Sequence, residues 1–116
     1  MIKLSNINIS FERPIFINAQ IELTAGAFNV LIGESGCGKT TLLNEIGLLN
    51  EKLNSDYLFF DNKLNDHSDF ALKRRIDIGY VFQENYLFEK LTVKENIICT
   101  SNNSFIMGYN KYDSFI

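Results

Sequence analysis

Tryptophan is absent from this chain; proline occurs once (Pro14), histidine once (His67) and cysteine twice (Cys37, Cys99). With one proline and ten phenylalanines the composition is that of an ordered globular chain, not a disordered or fibrous one. Two cysteines are too few for a disulfide scaffold. Cys37 lies in a glycine-rich loop that pairing with Cys99 would obstruct, so both read as free cytosolic thiols. No apolar run approaches the ~20 residues that cross a bilayer, and the stretch Met1-Ile2-Lys3-Leu4-Ser5-Asn6 lacks the apolar region of a secretory leader. A cytoplasmic location with no direct membrane insertion is therefore expected. Basic charge is also scarce: eleven Lys and Arg against fourteen Asp and Glu give a net charge of −3 and a pI near 5.1. That balance argues against nucleic acid as a partner, and Lys73-Arg74-Arg75 reads as a solvated helix face. The 116 residues give room for one domain, and 46% hydrophobic residues are enough for a core.

What the chain does contain is the octapeptide Gly33-Glu34-Ser35-Gly36-Cys37-Gly38-Lys39-Thr40, a full match to the phosphate-binding loop G-x-x-x-x-G-K-[ST]. Glycines at these places let successive backbone N–H groups point into one concave nest suited to a polyphosphate. The helix that follows adds its N-terminal dipole, Lys39 a full positive charge, and Thr40 a hydroxyl able to ligate Mg²⁺. The setting agrees: residues 28–32 (Phe-Asn-Val-Leu-Ile) read as a buried strand entering the loop. Residues 39–50 read as a helix leaving it, with Leu42, Leu43, Ile46 and Leu49 as its apolar side. The spacing Gly36-x-Gly38-x-x-Thr41 fails the dinucleotide fingerprint at its third glycine, which demotes a NAD-binding site.

Elsewhere, Ile7, Ile9 and Phe11 alternate with polar residues, as do Ile15 and Ile17, then Ile21 and Leu23. This predicts short antiparallel strands with Glu12-Arg13-Pro14 as a turn. Residues 57–60 predict a further short strand and residues 69–75 a helix. Residues 78–82 (Ile-Gly-Tyr-Val-Phe) predict another buried strand, which delivers Gln83 at its C-terminal end, where ligands of open α/β sheets gather. Thr92-Val93-Lys94-Glu95 is a capping box opening a last helix.

The phosphate loop, the strand ending in Val81-Phe82-Gln83, and Leu91-Thr92-Val93-Lys94-Glu95-Asn96-Ile97 occur in the order and spacing of a known family. Over residues 2–98 the chain resembles the ATP-binding subunit of ABC transporters. The resemblance implies an α/β fold of the P-loop NTPase class, with an incomplete parallel sheet and an N-terminal antiparallel β arm. It implies ATP and Mg²⁺ as cofactors. The implied nucleotide-binding residues are Phe11, Gly33, Glu34, Ser35, Gly36, Cys37, Gly38, Lys39, Thr40 and Thr41. Phe11 falls on the aromatic that stacks on adenine, and Gln83 on the Q-loop glutamine that touches Mg²⁺ and the attacking water. Thr40 and Gln83 form the implied metal contacts. The implied partners are a membrane permease subunit and a second ATP-binding subunit, with the chain peripheral to the inner face of the membrane. Val30 to Gly36 followed by Ile46-Gly47-Leu48-Leu49 is most similar to exporters of peptides, lipoproteins or macrolides.

The departures from the family are equally specific. No two of the seven glycines are adjacent, so the serine-glycine-glycine signature cannot occur. No aspartate–glutamate pair follows an apolar strand, so the Walker B aspartate and the catalytic glutamate are missing; His67 precedes the Q-loop and cannot be the switch histidine. Residues 57–61 imitate a Walker B strand, but Asn62 stands where glutamate should follow Asp61. The chain thus looks like the front half of a nucleotide-binding domain, residues 1–98, followed by an atypical tail at 99–116 that an out-of-frame or truncated reading frame would explain. Three functions follow: the ATP-binding portion of an ABC ATPase, a nucleotide-binding fragment without turnover, or a small P-loop kinase or GTPase. The missing groups predict that the chain alone does not turn over ATP.

Overall fold

A computed structural model of the chain describes residues 1–65, 67–82, 84 and 86–99. It separates into two compact units, Met1–Ala71 and the residues from Leu72 onward.

The first unit is built on a four-stranded antiparallel sheet. Strand β1 (Ile2–Ser10) is flanked by β2 (Pro14–Leu23) and β3 (Asp56–Phe59), with the two-residue β4 (Asn62–Lys63) at the far edge, giving the order β2-β1-β3-β4. The expected antiparallel arm is therefore present. The three alternating segments read from the sequence become two strands, since Ile15, Ile17, Ile21 and Leu23 all belong to β2. Leu4, Ile7 and Ile9 of β1 are buried together although Leu4 and Ile7 are an odd number of residues apart, a spacing that would place them on opposite faces. A bulge at Asn6, whose φ is +52°, restores the phase. A second bulge at Asn18 (φ +47°) on β2 compensates for the first. Asn8 joins the two: its Nδ2 donates to the Asn6 carbonyl at 2.8 Å, and its Oδ1 accepts from the Asn18 backbone N–H at 2.9 Å.

Tyr57 and Phe59 of β3 share the buried face with Leu4, and Leu42, Leu48, Leu64 and Phe70 complete the core of this unit. Helix α1 (Lys39–Ile46) is shorter than the expected 39–50. It closes in a Schellman motif, with Leu49 N–H bonded to the Asn44 carbonyl at 2.9 Å and Leu48 N–H to the Glu45 carbonyl at 3.1 Å. The left-handed residue of that motif is Leu48 (φ +59°), not the adjacent Gly47. Leu48 is completely buried, and burying a leucine contributes about 1.5–3 kcal/mol, enough to offset the ~1–2 kcal/mol cost of its left-handed backbone.

Two segments differ from expectation. Residues 28–32 and residues 78–82 do not form strands, and neither pairs with any other described segment. Phe28 is 95% exposed and Ile32 90% exposed, and Val81 is fully exposed. Strand geometry requires a hydrogen-bonded neighbour as well as a suitable sequence. The sheet that is formed takes in only β1 to β4, the apolar runs are left without a strand partner, and the parallel part of the expected sheet is not formed among the described residues. Asp61 likewise is no Walker B residue: with Phe60 (φ +47°) and Asp61 (φ +68°) it makes the two-residue turn joining β3 to β4.

In the second unit, α2 (His67–Ile76), which begins in the first, carries a Lys73–Asp77 ion pair at 3.0 Å, and α3 (Val93–Cys99) follows a loop. The capping box forms as expected: Thr92 N–H and its hydroxyl both donate to Glu95 Oε2, at 2.7 and 2.8 Å, and Glu95 N–H donates back to Thr92 Oγ1 at 3.3 Å. Asn96 clips the preceding loop to the helix, accepting from Phe88 N–H at 2.9 Å and donating to the Leu91 and Thr92 carbonyls at 3.1 and 3.0 Å. The residues of the tail from Thr100 onward lie outside the described residues, as does Gln83.

Candidate functional site

Residues 33–41 form one continuous loop and helix start. Gly36 and Gly38 take φ of +78° and +102°, values open to glycine and strained for other residues, and Cys37 N–H closes a turn onto the Glu34 carbonyl at 3.3 Å. Gly38 is the N-cap of α1. It supplies no side-chain acceptor, and the first turn holds no acidic residue. The leading N–H groups of α1 are thus left without a capping side chain, the arrangement that favours an anion. Thr40 is exposed on that first turn and Thr41 is half-buried.

Lys39 folds back over the loop. Its ammonium donates to the Gly33 carbonyl at 2.7 Å and the Glu34 carbonyl at 2.6 Å, and lies 3.8 Å from Cys37 Sγ. That sulfur also packs on Gly33: a Cβ added there would stand 2.6 Å from it, so a side chain at position 33 would have to turn the Cys37 thiol aside. Phe11 sits at the tip of the β1–β2 hairpin, 71% exposed, with its N–H bonded to the Arg13 carbonyl at 3.1 Å. The loop residues are therefore gathered into one constellation and Phe11 is presented on a separate tip.

Two groups of residues were not singled out in the sequence. Glu45, on the inner side of α1, is completely buried and accepts four hydrogen bonds: Asn50 Nδ2 (2.7 Å), Asn54 N–H (2.6 Å), Asn54 Nδ2 (3.2 Å) and Ser55 Oγ (2.7 Å). Its carboxylate replaces water with four protein donors. Asn54 in turn accepts from Asn8 N–H at 2.9 Å, and Tyr57 donates its hydroxyl to the Ile46 carbonyl, so the end of α1 is tied to both β1 and β3. The only hint in the sequence is an acid three residues after Leu42 on the apolar side of the helix. The second group is Ile15 and Phe16 of β2, which lie directly against Gly38.

An open glycine loop with left-handed turns, running straight into an uncapped helix bearing Lys and Thr, defines a phosphate-loop nucleotide-binding protein. The chain belongs to the ABC transporter family, whose profile matches residues 16–114. It is 40% identical over 98 residues to the sn-glycerol-3-phosphate import ATP-binding protein UgpC of Bartonella bacilliformis, covering 83% of this chain and 27% of that one. It is also 40% identical over 102 residues to the macrolide export ATP-binding/permease protein MacB of Campylobacter jejuni, covering 84% and 16%. Among solved structures it is similar to the dimeric bacterial ABC transporter cassette MJ0796, with a TM-score of 0.75 and 31% identity over 86% of this chain and 46% of that one. A second structure of that cassette, in a post-hydrolysis state, is bound to ADP and Pi. The chain spans less than half the length of the curated relatives it matches. Equal identity to an importer and an exporter places the likeness in the ATP-binding portion, not in the transported compound.

Proposed function

We propose that residues 33–41 bind the phosphates of ATP together with Mg²⁺, as the nucleotide-binding portion of an ABC transporter ATPase. The observation that carries this reading is the continuity of the left-handed glycines at 36 and 38 with an uncapped, acid-free helix N-terminus. In this reading the backbone N–H groups from Gly33 to Gly38 cradle the phosphates, Lys39 meets the β- and γ-phosphates, and Thr40 holds the metal with Thr41 beside it. Mg²⁺ supplies charge neutralisation when bound. Phe11 stacks on adenine from the hairpin tip, and Gln83 contacts the metal and water. Lys39 must exchange the Gly33 and Glu34 carbonyls for phosphate oxygens.

In the whole protein this portion would hydrolyse ATP with a second ATP-binding subunit and energise transport through a membrane permease, from a position peripheral to the inner face of the membrane. No helix among the described residues is long and apolar enough to cross a membrane. A permease contact is supported by the exposed apolar side chains of Tyr86, Leu87, Phe88 and Val93 in the second unit. The absence of a Walker B aspartate and a catalytic glutamate in the sequence favours binding without turnover for this chain by itself.

Calorimetric titration with ATP and Mg²⁺, followed by a phosphate-release assay, tests both parts. Saturable binding with no release above background is expected. Absence of binding would overturn the site, and release that disappears in Lys39→Ala would overturn the assignment of no turnover.

A further inference from the structure

We infer that Phe16, with Ile15, is a positioning residue for the phosphate loop: β2 provides the seat on which Gly38 rests, and thereby sets where Lys39 and Thr40 stand. The contact is direct. A Cβ at Gly38 would fall 2.5 Å from Ile15 Cγ2 and 3.1 and 3.2 Å from Phe16 Cε2 and Cζ, so the bare Cα of Gly38 lies against both side chains. Gly36, two residues earlier, has nothing within 4 Å of its Cβ position. The loop is thus free at its crown and seated at its base. Gly38 is also the N-cap of α1 and its carbonyl accepts the Leu42 N–H at 2.9 Å, so displacement of Gly38 displaces the first turn of the helix.

The seat itself is backed by the core. Phe16 pairs with Ile9 across the β1–β2 ladder, and Ile9 is buried. Phe11 stands on the tip of the same hairpin, five residues before Phe16. One rigid hairpin therefore carries both the ring offered to a base and the support of the phosphate nest, and the separation of the two is set by the hairpin.

The inference rests on the nucleotide-binding reading, and the test separates the two. In the 116-residue chain, affinities for ATP and for inorganic tripolyphosphate are measured with Mg²⁺. Because the contact is to the loop, Phe16→Ala should weaken both ligands by the same factor, about ten-fold, with an unchanged far-UV spectrum, whereas Phe11→Ala should weaken ATP alone. Phe16→Leu, which refills the space, should recover most of the loss. If Phe16→Ala does not fold, Ile15→Ala carries the same comparison. Wild-type affinity for both ligands in the alanine variants, or loss of ATP but not tripolyphosphate, would overturn the seat. Independently of any ligand, the Gly38 amide resonance should move on removal of the Phe16 ring. An unmoved resonance overturns the seat, while a moved one in a chain that binds neither ligand overturns only the nucleotide reading.

Discussion

Lys39 and Gly33 are joined across the phosphate loop, ammonium to carbonyl at 2.7 Å, with the Glu34 carbonyl sharing the same ammonium at 2.6 Å. The cation that would meet a nucleotide is satisfied by the loop itself, so binding is an exchange of acceptors and not the capture of a free charge.

Lys39→Ala should therefore reduce MgATP affinity by one to two orders of magnitude, the ~1.5–3 kcal/mol of a charge-assisted hydrogen bond. The far-UV circular dichroism should stay close to that of the parent chain. Titration calorimetry on both proteins reads the difference; equal affinities would remove Lys39 from the site.

Gly36 and Gly38 should respond differently to the same substitution. Gly36→Ala adds only the backbone strain of a positive φ, on the order of 1–2 kcal/mol, because its Cβ meets open space. Gly38→Ala adds a collision with Ile15 and Phe16 to the same strain. ATP affinity should fall about ten-fold in the first variant and become undetectable in the second.

Glu45→Ala should strip the acceptor from Asn50, Asn54 and Ser55 at once. Hydrogen bonds to a charged group contribute ~1.5–3 kcal/mol each without full additivity, so a local loss of about 3 kcal/mol is expected. Amide exchange of Asn54 should accelerate on the order of a hundred-fold, with a smaller effect for Glu45→Gln, which keeps one acceptor.

Acidification should loosen the start of α3. The Thr92 backbone N–H, and then its hydroxyl, hold the Glu95 carboxyl below its ordinary value. A depressed carboxylate pKa contributes stability at neutral pH, and that contribution is lost as pH falls through the depressed value, beneath the ordinary glutamate range. An NMR titration should show Thr92 and Glu95 amides shifting with this carboxyl, and Thr92→Val should return its midpoint toward the usual glutamate range.

The exposed run at Phe28, Val30 and Ile32 should make the isolated chain bind a hydrophobic dye. Phe28→Ser with Ile32→Ser should lower the dye signal. Absence of dye binding would show that this surface is covered.

What could be read from the residues was local. The phosphate loop, the hairpin turn before Pro14 and the capping box at Thr92 each depend on a few consecutive side chains, and each formed where expected. Residues 28–32 and 78–82 carry the composition of buried strands, yet a strand is completed by its neighbours, and composition says nothing about whether a neighbour is in place. Leu48 illustrates the same limit on a smaller scale: local propensity assigns the left-handed position to Gly47, and burial of the leucine moves it one residue on. Glu45 was invisible because its four donors come from a loop whose path only the folded chain reveals.

Asn8 has a mechanical consequence. Because it grips one bulge on each strand, the hairpin is keyed: sliding β2 along β1 by a single residue would have to break the Asn18–Asn8 bond, while the Asn8–Asn6 bond within β1 holds the Asn8 side chain in place. Phe16, paired with Ile9, lies next to this key on the side of the tip, and the tip itself, at Glu12 and Arg13, has no such bond to Asn8. The hairpin thus works as a ruler with a fixed zero, and a residue added at the tip would alter the reach toward a bound base while leaving the phosphate end where it is.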